Sequence, residues 1–230
     1  MFTTIAIDGP AGSGKSTIGA ALAQALGYVY FDTGVMYRCV ALAALARDID
    51  PEDEAAVSAM AQTLRIEVRA PDIDDGRQYT ILLDDHDVTW SLRSRDVEAY
   101  VSTVAAYPGV RTAMVRQQRD AANGANMVMV GRDIGTVVMP AAAVKVYLIA
   151  TAEERARRRQ AELTQRGVNA SYDEVLAGVR KRDAVDSQRV TSPLRPADDA
   201  ITVDSTGWSI HDVVAKVLSI IATKENAHGS

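Results

Sequence analysis

The sequence predicts an α/β fold: a five-stranded parallel sheet wrapped by helices, with a small antiparallel β insertion and a mobile lid. Two observations carry this prediction. Strand-like and helix-like patterns alternate near both ends of the chain, which is typical of parallel strands joined by crossover helices. Between them, about thirty residues contain period-two alternation of apolar and polar side chains, which is typical of β-strands packed on one face.

The first two strand and helix pairs are the clearest. Thr4–Ile7 is a short apolar run and predicts a buried strand. The alanine-rich segment Ser16–Leu26 predicts a helix, which Gly27 ends. Tyr28–Phe31 predicts a second strand and Val35–Arg47 a second helix. This order of elements favours a parallel sheet.

The middle of the chain has a different pattern. Leu64–Arg69 alternates with period two, as does part of Tyr79–Leu83, and Asp87–Trp90 continues the ribbon. The spacer Ala70–Gln78 carries Pro, Asp and Gly, which are turn residues. These residues therefore predict an antiparallel insertion rather than more parallel sheet.

The remainder returns to the parallel pattern. Val97–Ala122 predicts a helix that is broken near Pro108, because proline cannot continue a helical hydrogen-bond ladder. Three further core strands are predicted at Asn126–Val130, Val144–Ile149 and Ala200–Val203. Three further helices are predicted at Thr151–Arg166, Ser171–Arg182 and Ser209–Thr223. The pairs Ser171 with Glu174 and Ser209 with Asp212 have the spacing of helix caps.

Composition limits the classes of function. A chain of 230 residues with 47% hydrophobic residues has enough apolar material for one large domain. A net charge of −5 disfavours duplex nucleic acid as the main partner. One cysteine excludes an internal disulfide and favours the cytoplasm. No segment has the pattern of a signal peptide or a membrane span, so we expect no membrane partner. We also expect a monomer without a nucleic-acid partner.

Gly9–Ser16 matches the phosphate-loop pattern G-x-x-x-x-G-K-S at every fixed position. Inward-facing backbone N–H groups and the N-terminus of the following helix bind phosphate oxygens. Lys15 can reach the β- and γ-phosphates of ATP, and the Ser16 hydroxyl can bind Mg²⁺. A chance match is disfavoured because the motif follows a predicted strand and opens a predicted helix. We expect ATP to be bound by Gly9, Ala11, Gly12, Ser13, Gly14, Lys15, Ser16 and Thr17.

Polar residues follow two other predicted strands. Asp32-Thr33-Gly34 and Gly131-Arg132-Asp133 stand where ligands bind in open α/β sheets, beyond the carboxyl ends of the strands. A kinase for nucleotides must hold two polyanions end to end, and arginine binds phosphate bidentately while staying charged. The alternative is that the aspartates only cap helices.

Two charged clusters have a functional and a structural interpretation. Arg155, Arg157, Arg158 and Arg159 predict a lid that closes over the ATP phosphates, with Gln165–Ser171 as its mobile segment. The alternative is a solvated face paired with neighbouring glutamates. Arg182, Asp186 and Arg189 share one helical face and can point at one ligand. Their alternative is ion pairing along the helix.

Together with the loop, four segments resemble the bacterial cytidylate kinase family of nucleoside monophosphate kinases. They are Asp32–Arg38, Gly131–Val138, Arg182–Arg189 and Ser192–Leu194. The resemblance extends from about Ile5 to the last helix, and the β insertion matches the enlarged monophosphate-binding region of that family. Val35 and Met139 depart from it, each by an apolar exchange.

The resemblance implies a role for each matching residue. Thr33, Arg38 and Arg132 hold the acceptor phosphate, and Arg189 lies near the transferring phosphate. Ser102, Arg111 and Asp133 contact cytosine, whereas Arg182 and Asp186 contact the ribose. We count Asp32 with the acceptor site. The expected catalytic residues are Lys15, Arg132, Arg158 and Arg189, with Arg158 also binding ATP.

The expected reaction is phosphoryl transfer from ATP to CMP or dCMP, with Mg²⁺. The alternatives are a sister kinase acting on UMP, AMP or another small acceptor, or a regulatory nucleotide-binding ATPase. The guanine-reading N-K-x-D segment of a GTPase is not present in the sequence. We expect one kinase domain over 1–230. Its expected parts are a core of 1–60, 100–150 and 190–230, an insertion of about 62–98 and a lid of about 152–188.

Overall fold

The computed structural model describes residues 3–69, 71–165 and 167–228, with the side chains of 225–228 left out. Ala70, the first residue of the expected spacer, and Arg166, the expected last residue of a helix, lie outside the described residues. The chain forms two compact units. The first contains the residues up to Asp32 and those from Ala122 onward, and the second contains Thr33–Ala121.

The described residues form eight strands and eight α-helices. The strands are β1 (Thr4–Asp8), β2 (Val29–Asp32), β3 (Ile66–Arg69), β4 (Thr80–Leu83), β5 (His86–Asp87), β6 (Met127–Gly131), β7 (Val144–Ile149) and β8 (Ile201–Asp204). The helices are α1 (Lys15–Leu26), α2 (Gly34–Ala46), α3 (Glu54–Ala61), α4 (Arg95–Val104), α5 (Pro108–Ala121), α6 (Ala152–Gln165), α7 (Tyr172–Gln188) and α8 (Ile210–His228). A 3₁₀ turn, Ser91–Arg93, and a π-helical turn, Ile134–Val138, complete the order.

The first unit is built on a parallel sheet of five strands in the order β2-β6-β1-β7-β8, which confirms the predicted fold class. Strand β1 pairs with β6 on one side and with β7 on the other. All its residues are buried, which explains the continuous apolar run. The core around this sheet includes Ile5, Ile7, Leu22, Val128, Val130, Val146, Leu148 and Val217.

Local signals account for most of the helix ends in this unit. Helix α1 ends at Gly27, which has φ 67°, as the glycine stop predicts. Ser171 and Glu174 form the predicted capping box. Ser209 Oγ accepts from the backbone N–H of Asp212, as its spacing also predicts. Helix α7 runs beyond the predicted end at Arg182 to Gln188, a stretch in which no glycine or proline interrupts it.

The second unit contains the predicted antiparallel insertion, a sheet of order β3-β4-β5. Strand β5 is only two residues long, so the ribbon ends earlier than Asp87–Trp90 predicts. The Arg77 guanidinium lies in this region and hydrogen-bonds to the carboxylates of Asp75 and Asp87. The antiparallel sheet therefore carries ion pairs on its surface in addition to a small apolar face.

Four helices complete the second unit, with α2 packed against α4 and α3 against α5. The predicted break near Pro108 is present, since α4 ends at Val104 and α5 begins at Pro108. Helix α3 is not among the sequence predictions. It has a cap, the Asp53 side chain, which accepts from the backbone N–H of Ala56. In the described part of the chain, no helix is both long and apolar enough to cross a membrane.

Candidate active site

The phosphate loop joins the end of β1 to the start of α1. Gly14 is the N-terminal cap of the helix and has φ 93°, which glycine adopts without strain. Gly9 has φ 148°, and a Cβ atom there would collide with the carbonyl oxygen of Leu148. Both fixed glycines of the motif are therefore required by the geometry of the loop. The first backbone N–H groups of α1 lie at the N-terminus of the helix, where such groups bind phosphate oxygens.

Lys15 lies inside this loop with 6% of its surface exposed. Its Nζ atom donates to the carbonyl oxygen of Pro10 at 2.6 Å and to Ser13 Oγ at 3.5 Å. Burial and the nearby Arg132 lower the pKa of the ammonium group well below its usual value, although Asp32 and Asp8 oppose this. The loop thus holds a buried cation whose partners are neutral oxygens, an arrangement that favours a polyanionic ligand.

Ser16 and Asp32 form a pair of oxygen ligands beside the loop. Ser16 Oγ donates to Asp32 Oδ2 at 2.8 Å. A hydroxyl and one carboxylate suit Mg²⁺, which is usually held by one or two carboxylates, water and substrate phosphates. Among the described residues, no group of three or more His, Cys, Asp or Glu could hold a metal ion. The donor set thus fits a magnesium ion that arrives with the nucleotide better than a resident metal.

Asp186 lies between two of the predicted arginines. Its Oδ2 atom accepts from Arg132 Nε at 3.0 Å, and its Oδ1 atom lies 3.8 Å from Arg189 Nη1. Burial would raise the pKa of this carboxyl, but Arg132, Arg189 and Arg182 together hold it below its usual value. Asp186 and Arg189 are therefore neighbours at the end of α7, as ion pairing along the helix would also give, and Arg132 joins them from the loop after β6.

Asp32 and Asp133 each stand just before a helical segment. Helix α2 begins after Thr33, and the Asp32 carboxylate accepts from Ser16. Asp133 stands at the N-cap position of the π-helical turn, yet its side chain makes no capping hydrogen bond. It is 4% exposed. Asp133 is therefore a buried carboxylate that does not cap the turn that follows it.

The Asp8 carboxylate supplies the acceptors for that π-helical turn. Its two oxygens accept from the backbone N–H groups of Ile134 and Gly135, each at 2.7 Å. Burial is the largest influence and raises the pKa of Asp8 to about 6, although the two backbone hydrogen bonds and Lys15 oppose the rise. Asp8 is not among the residues that the sequence singles out for function.

Two of the clustered arginines on α6 contact the elements around the phosphate loop. Arg155 donates to the carbonyl oxygen of Ala11 at 3.1 Å and forms a two-point ion pair with Asp183 on α7. Arg158 donates to the backbone oxygen of Ser205, whose hydroxyl in turn donates to the carbonyl of Ser13. Each arginine is therefore tied to the loop backbone, directly or through one residue.

The other two arginines of the cluster pair along their own helix. Arg157 pairs with Glu154 and Arg159 with Glu162, both at 2.9 Å. These are the glutamate pairs of the solvated-face interpretation, and isolated exposed pairs of this kind contribute little. Arg158 also pairs with Glu154, at 3.0 Å, so it combines its contact with Ser205 with the pairing of the solvated-face interpretation.

The second unit carries the other predicted acceptor residues. Arg111 is buried, donates to the carbonyl of Ala105 at 3.0 Å and lies over the ring of Tyr37. Thr33 is 3% exposed at the N-cap of α2, and Ser102 is half-buried on α4. The Nη1 atom of Arg38 on α2 is buried and has no hydrogen-bond partner among the described residues. A buried cationic donor of this kind suits an anionic ligand.

Three residues in the first unit were not identified by sequence reasoning: Asp8, Asp183 and Ser205. Asp8 stands directly before the loop, where its position at a strand end is the only local signal. In the sequence, Asp183 is one of several charged residues on a predicted helix, and Ser205 is one of several turn residues. Their roles depend on partners distant in the sequence: Asp8 accepts from Ile134, Asp183 pairs with Arg155 and Ser205 donates to Ser13.

Comparison with known proteins gives consistent results over nearly the whole chain. The family model described as cytidylate kinase matches residues 5–223. A protein named cytidylate kinase from Chloroflexus aggregans is 52% identical over 224 residues, which cover 97% of this chain and 96% of that protein. One from Roseiflexus castenholzii is 50% identical over 223 residues, covering 96% and 94% respectively.

Comparison of folds adds a structure of low sequence identity. A crystal structure of an uncharacterized protein from Eubacterium ventriosum aligns with a TM-score of 0.51 at 11% identity, covering 97% of this chain and 99% of that one. At this identity the similarity concerns the fold alone.

Proposed function

Since the chain belongs to the cytidylate kinase family, we infer that it is a nucleoside monophosphate kinase that transfers a phosphoryl group from ATP to CMP. The resemblance of its acceptor motifs to that family extends the proposal to dCMP. The expected products are ADP with CDP or dCDP. Sister kinases and a regulatory ATPase are not favoured by this family membership.

One observation in the structure supports this function most directly. The phosphate loop with Lys15 follows β1, Arg132 follows β6 of the same sheet, and Arg132 binds Asp186 of α7 within the same compact unit. Phosphoryl transfer requires little covalent chemistry from the protein, so positioning and charge stabilisation provide most of the rate. Positive groups on both sides of the transferring phosphate supply that stabilisation.

On the ATP side, we assign the backbone of the loop to the phosphates and Lys15 to the β- and γ-phosphates. The ammonium group would exchange the Pro10 and Ser13 oxygens for phosphate oxygens, which carry full charge and suit a buried cation better. Arg158, which is tied to Ser205 beside the loop, is assigned to ATP and to the transition state. The assigned residues are Gly9, Ala11, Gly12, Ser13, Gly14, Lys15, Ser16, Thr17 and Arg158.

Mg²⁺ is assigned to Ser16, with Asp32 oriented on it by their hydrogen bond. When bound, the ion would neutralise charge on the phosphate oxygens and so assist the transfer. The protein's own contribution is to present the hydroxyl at the start of α1 and to keep the neighbouring carboxylate close.

On the acceptor side, the assignments follow the family resemblance. Arg132 and Arg189 are assigned to the phosphates, because their guanidinium groups are already grouped by Asp186. From the second unit we assign Thr33 and Arg38 to the acceptor phosphate. The full acceptor set is Asp32, Thr33, Arg38, Ser102, Arg111, Arg132, Asp133, Arg182, Asp186 and Arg189.

We further propose that one kinase domain carries an insertion of about 62–98 and a lid of about 152–188. The pairing of Arg155 with Asp183 is consistent with the two lid helices acting together. The proposal also includes a monomeric, cytoplasmic enzyme without a nucleic-acid partner, in keeping with one cysteine and an acidic net charge.

An acceptor panel tests the function. ADP release from ATP and Mg²⁺ would be measured with CMP, dCMP, UMP, AMP and no acceptor. We expect turnover with CMP and dCMP, weaker turnover with UMP and little without an acceptor. Equal turnover with AMP would indicate a sister kinase, and ATP hydrolysis at the same rate without any acceptor would indicate an ATPase.

A further inference from the structure

The Asp8 carboxylate connects the two loops that carry the proposed donor and acceptor residues. Asp8 is the last residue of β1 and directly precedes Gly9, the first residue of the phosphate loop. In the sheet it is paired with Gly131, the last residue of β6, and the acceptor loop begins at Arg132. Its side chain then reaches past this point to the π-helical turn.

The Asp8 carboxylate makes two hydrogen bonds with the π-helical turn. One carboxylate oxygen accepts from the N–H of Ile134 and the other from the N–H of Gly135, each at 2.7 Å. These are the first N–H groups of the turn, which would otherwise have no intrahelical partner. The residue at the N-cap, Asp133, makes no such bond. Asp8 therefore caps this turn from another strand.

Gly135 makes the close approach of this carboxylate feasible. A Cβ atom at position 135 would lie 3.1 Å from Lys145 Cδ and 3.4 Å from Asp8 Oδ2. The segment is thus packed between the side chain of Asp8 and the stem of Lys145. Such a fit leaves little freedom for Arg132 and Asp133, which immediately precede it.

The energetics argue against a purely stabilising role for Asp8. The carboxylate is 4% exposed, and the charged groups facing it are Lys15 and Asp133. Because burial raises its pKa to about 6, the unfolded chain loses this proton at lower pH than the folded one. The contribution of Asp8 to stability therefore declines as pH rises from about 4 to 6, and the ionised group weakens the folded state at neutral pH.

We propose that Asp8 is a positioning residue for the transfer reaction. Its carboxylate holds the loop of Arg132 and Asp133 in a set position relative to the phosphate loop that begins at Gly9. This role rests on the proposed function. It explains why a buried charge lies where the phosphate loop and the loop of Arg132 both begin. Both carboxylate oxygens are engaged by backbone N–H groups, so the side chain acts through the loop rather than by transferring protons.

Asp8→Asn tests this role directly. The amide keeps the size of the side chain but offers one acceptor to the two N–H groups, and its own NH₂ opposes the second. Since the substitution also removes a buried charge, we expect the variant to fold. Losing one charge-assisted hydrogen bond at the acceptor loop should raise the KM for CMP about tenfold, with kcat falling and the KM for ATP changing by less than about twofold.

Two further variants complete the design. Asp204→Asn is the matched control, because Asp204 also ends a strand and accepts a backbone N–H, from Thr206. It should leave both KM values unchanged. Gly135→Ala perturbs the same contact from the other side and should raise the KM for CMP in the same direction by a smaller factor. It keeps the test valid if Asp8→Asn does not fold.

Hydrogen exchange gives a readout that does not depend on turnover. In the nucleotide-free protein, Asp8→Asn should accelerate amide exchange at Ile134 and Gly135 while leaving Met127–Val130 protected. A folded Asp8→Asn variant with unchanged exchange and unchanged KM for CMP would overturn the positioning role alone. Absence of CMP turnover by the unmodified protein would instead overturn the proposed function, and the role with it.

Discussion

Arg132 Nε and Asp186 Oδ2 are joined by a hydrogen bond of 3.0 Å between residues 54 positions apart in the chain. The pair connects the loop after β6 to the last turns of α7. Arg189 lies on the other oxygen of the same carboxylate, at 3.8 Å. One anion therefore orients two cations that would otherwise repel each other.

Asp186→Asn should destabilise the protein in a pH-dependent way. The pKa of Asp186 is below its usual value, so its contribution to stability is fully present above pH about 4 and is lost as pH falls through the folded pKa. We expect urea unfolding at pH 7 to show a loss of about 2 kcal/mol, which shrinks below pH 4. Asp198→Asn, at a fully exposed site, should change little at either pH. A loss that does not vary with pH would contradict this account.

Lys15→Met should separate activity from stability. The ammonium group is buried and its pKa is well below the usual value, so its charged form weakens the folded state at neutral pH. Methionine removes the charge and keeps much of the apolar stem. We expect kcat to fall about 10²–10³-fold, while the Tm measured by calorimetry stays equal or rises by about 2–4 °C. A clear fall in Tm would show that the lysine has a structural role.

Arg155→Met should loosen the phosphate loop. The side chain is 5% exposed and binds both Asp183 and the Ala11 carbonyl. Its removal leaves the Asp183 carboxylate without this cation, so we expect the free energy of unfolding to drop by about 3 kcal/mol and the KM for ATP to rise. Arg157→Met on the same helix removes an exposed pair and should cost at most about 0.5 kcal/mol. Similar losses in the two variants would refute the distinction.

Asp133→Asn should change the choice between cytosine and uracil. Cytosine presents an exocyclic amine donor that a carboxylate can accept, whereas uracil presents an oxygen there. We expect the unmodified protein to favour CMP over UMP in kcat/KM by about 10²-fold or more. The asparagine amide can donate to uracil, so the ratio should fall toward one. An unchanged ratio would remove Asp133 from base recognition.

Local sequence patterns predicted most of the fold and the phosphate loop. The motif Gly9–Ser16 and the apolar strand before it are continuous in the chain, so their structure follows from near neighbours. The period-two segment likewise predicted an antiparallel sheet. Helix α3 was missed, although its alanine-rich sequence and the Asp53 cap are local signals. Helix α7 was predicted too short, because Asp183, Val185 and Ser187 near its end are weak helix formers.

The sequence by itself thus determined the fold class, the phosphate-loop motif and a candidate set of arginines and aspartates. Only the tertiary structure decided which of these side chains contact one another. Asp8 meets Ile134 and Arg155 meets Ala11 across more than a hundred residues each. Such contacts depend on the order of strands in the sheet and on the packing of helices over its edge, and no local pattern encodes them.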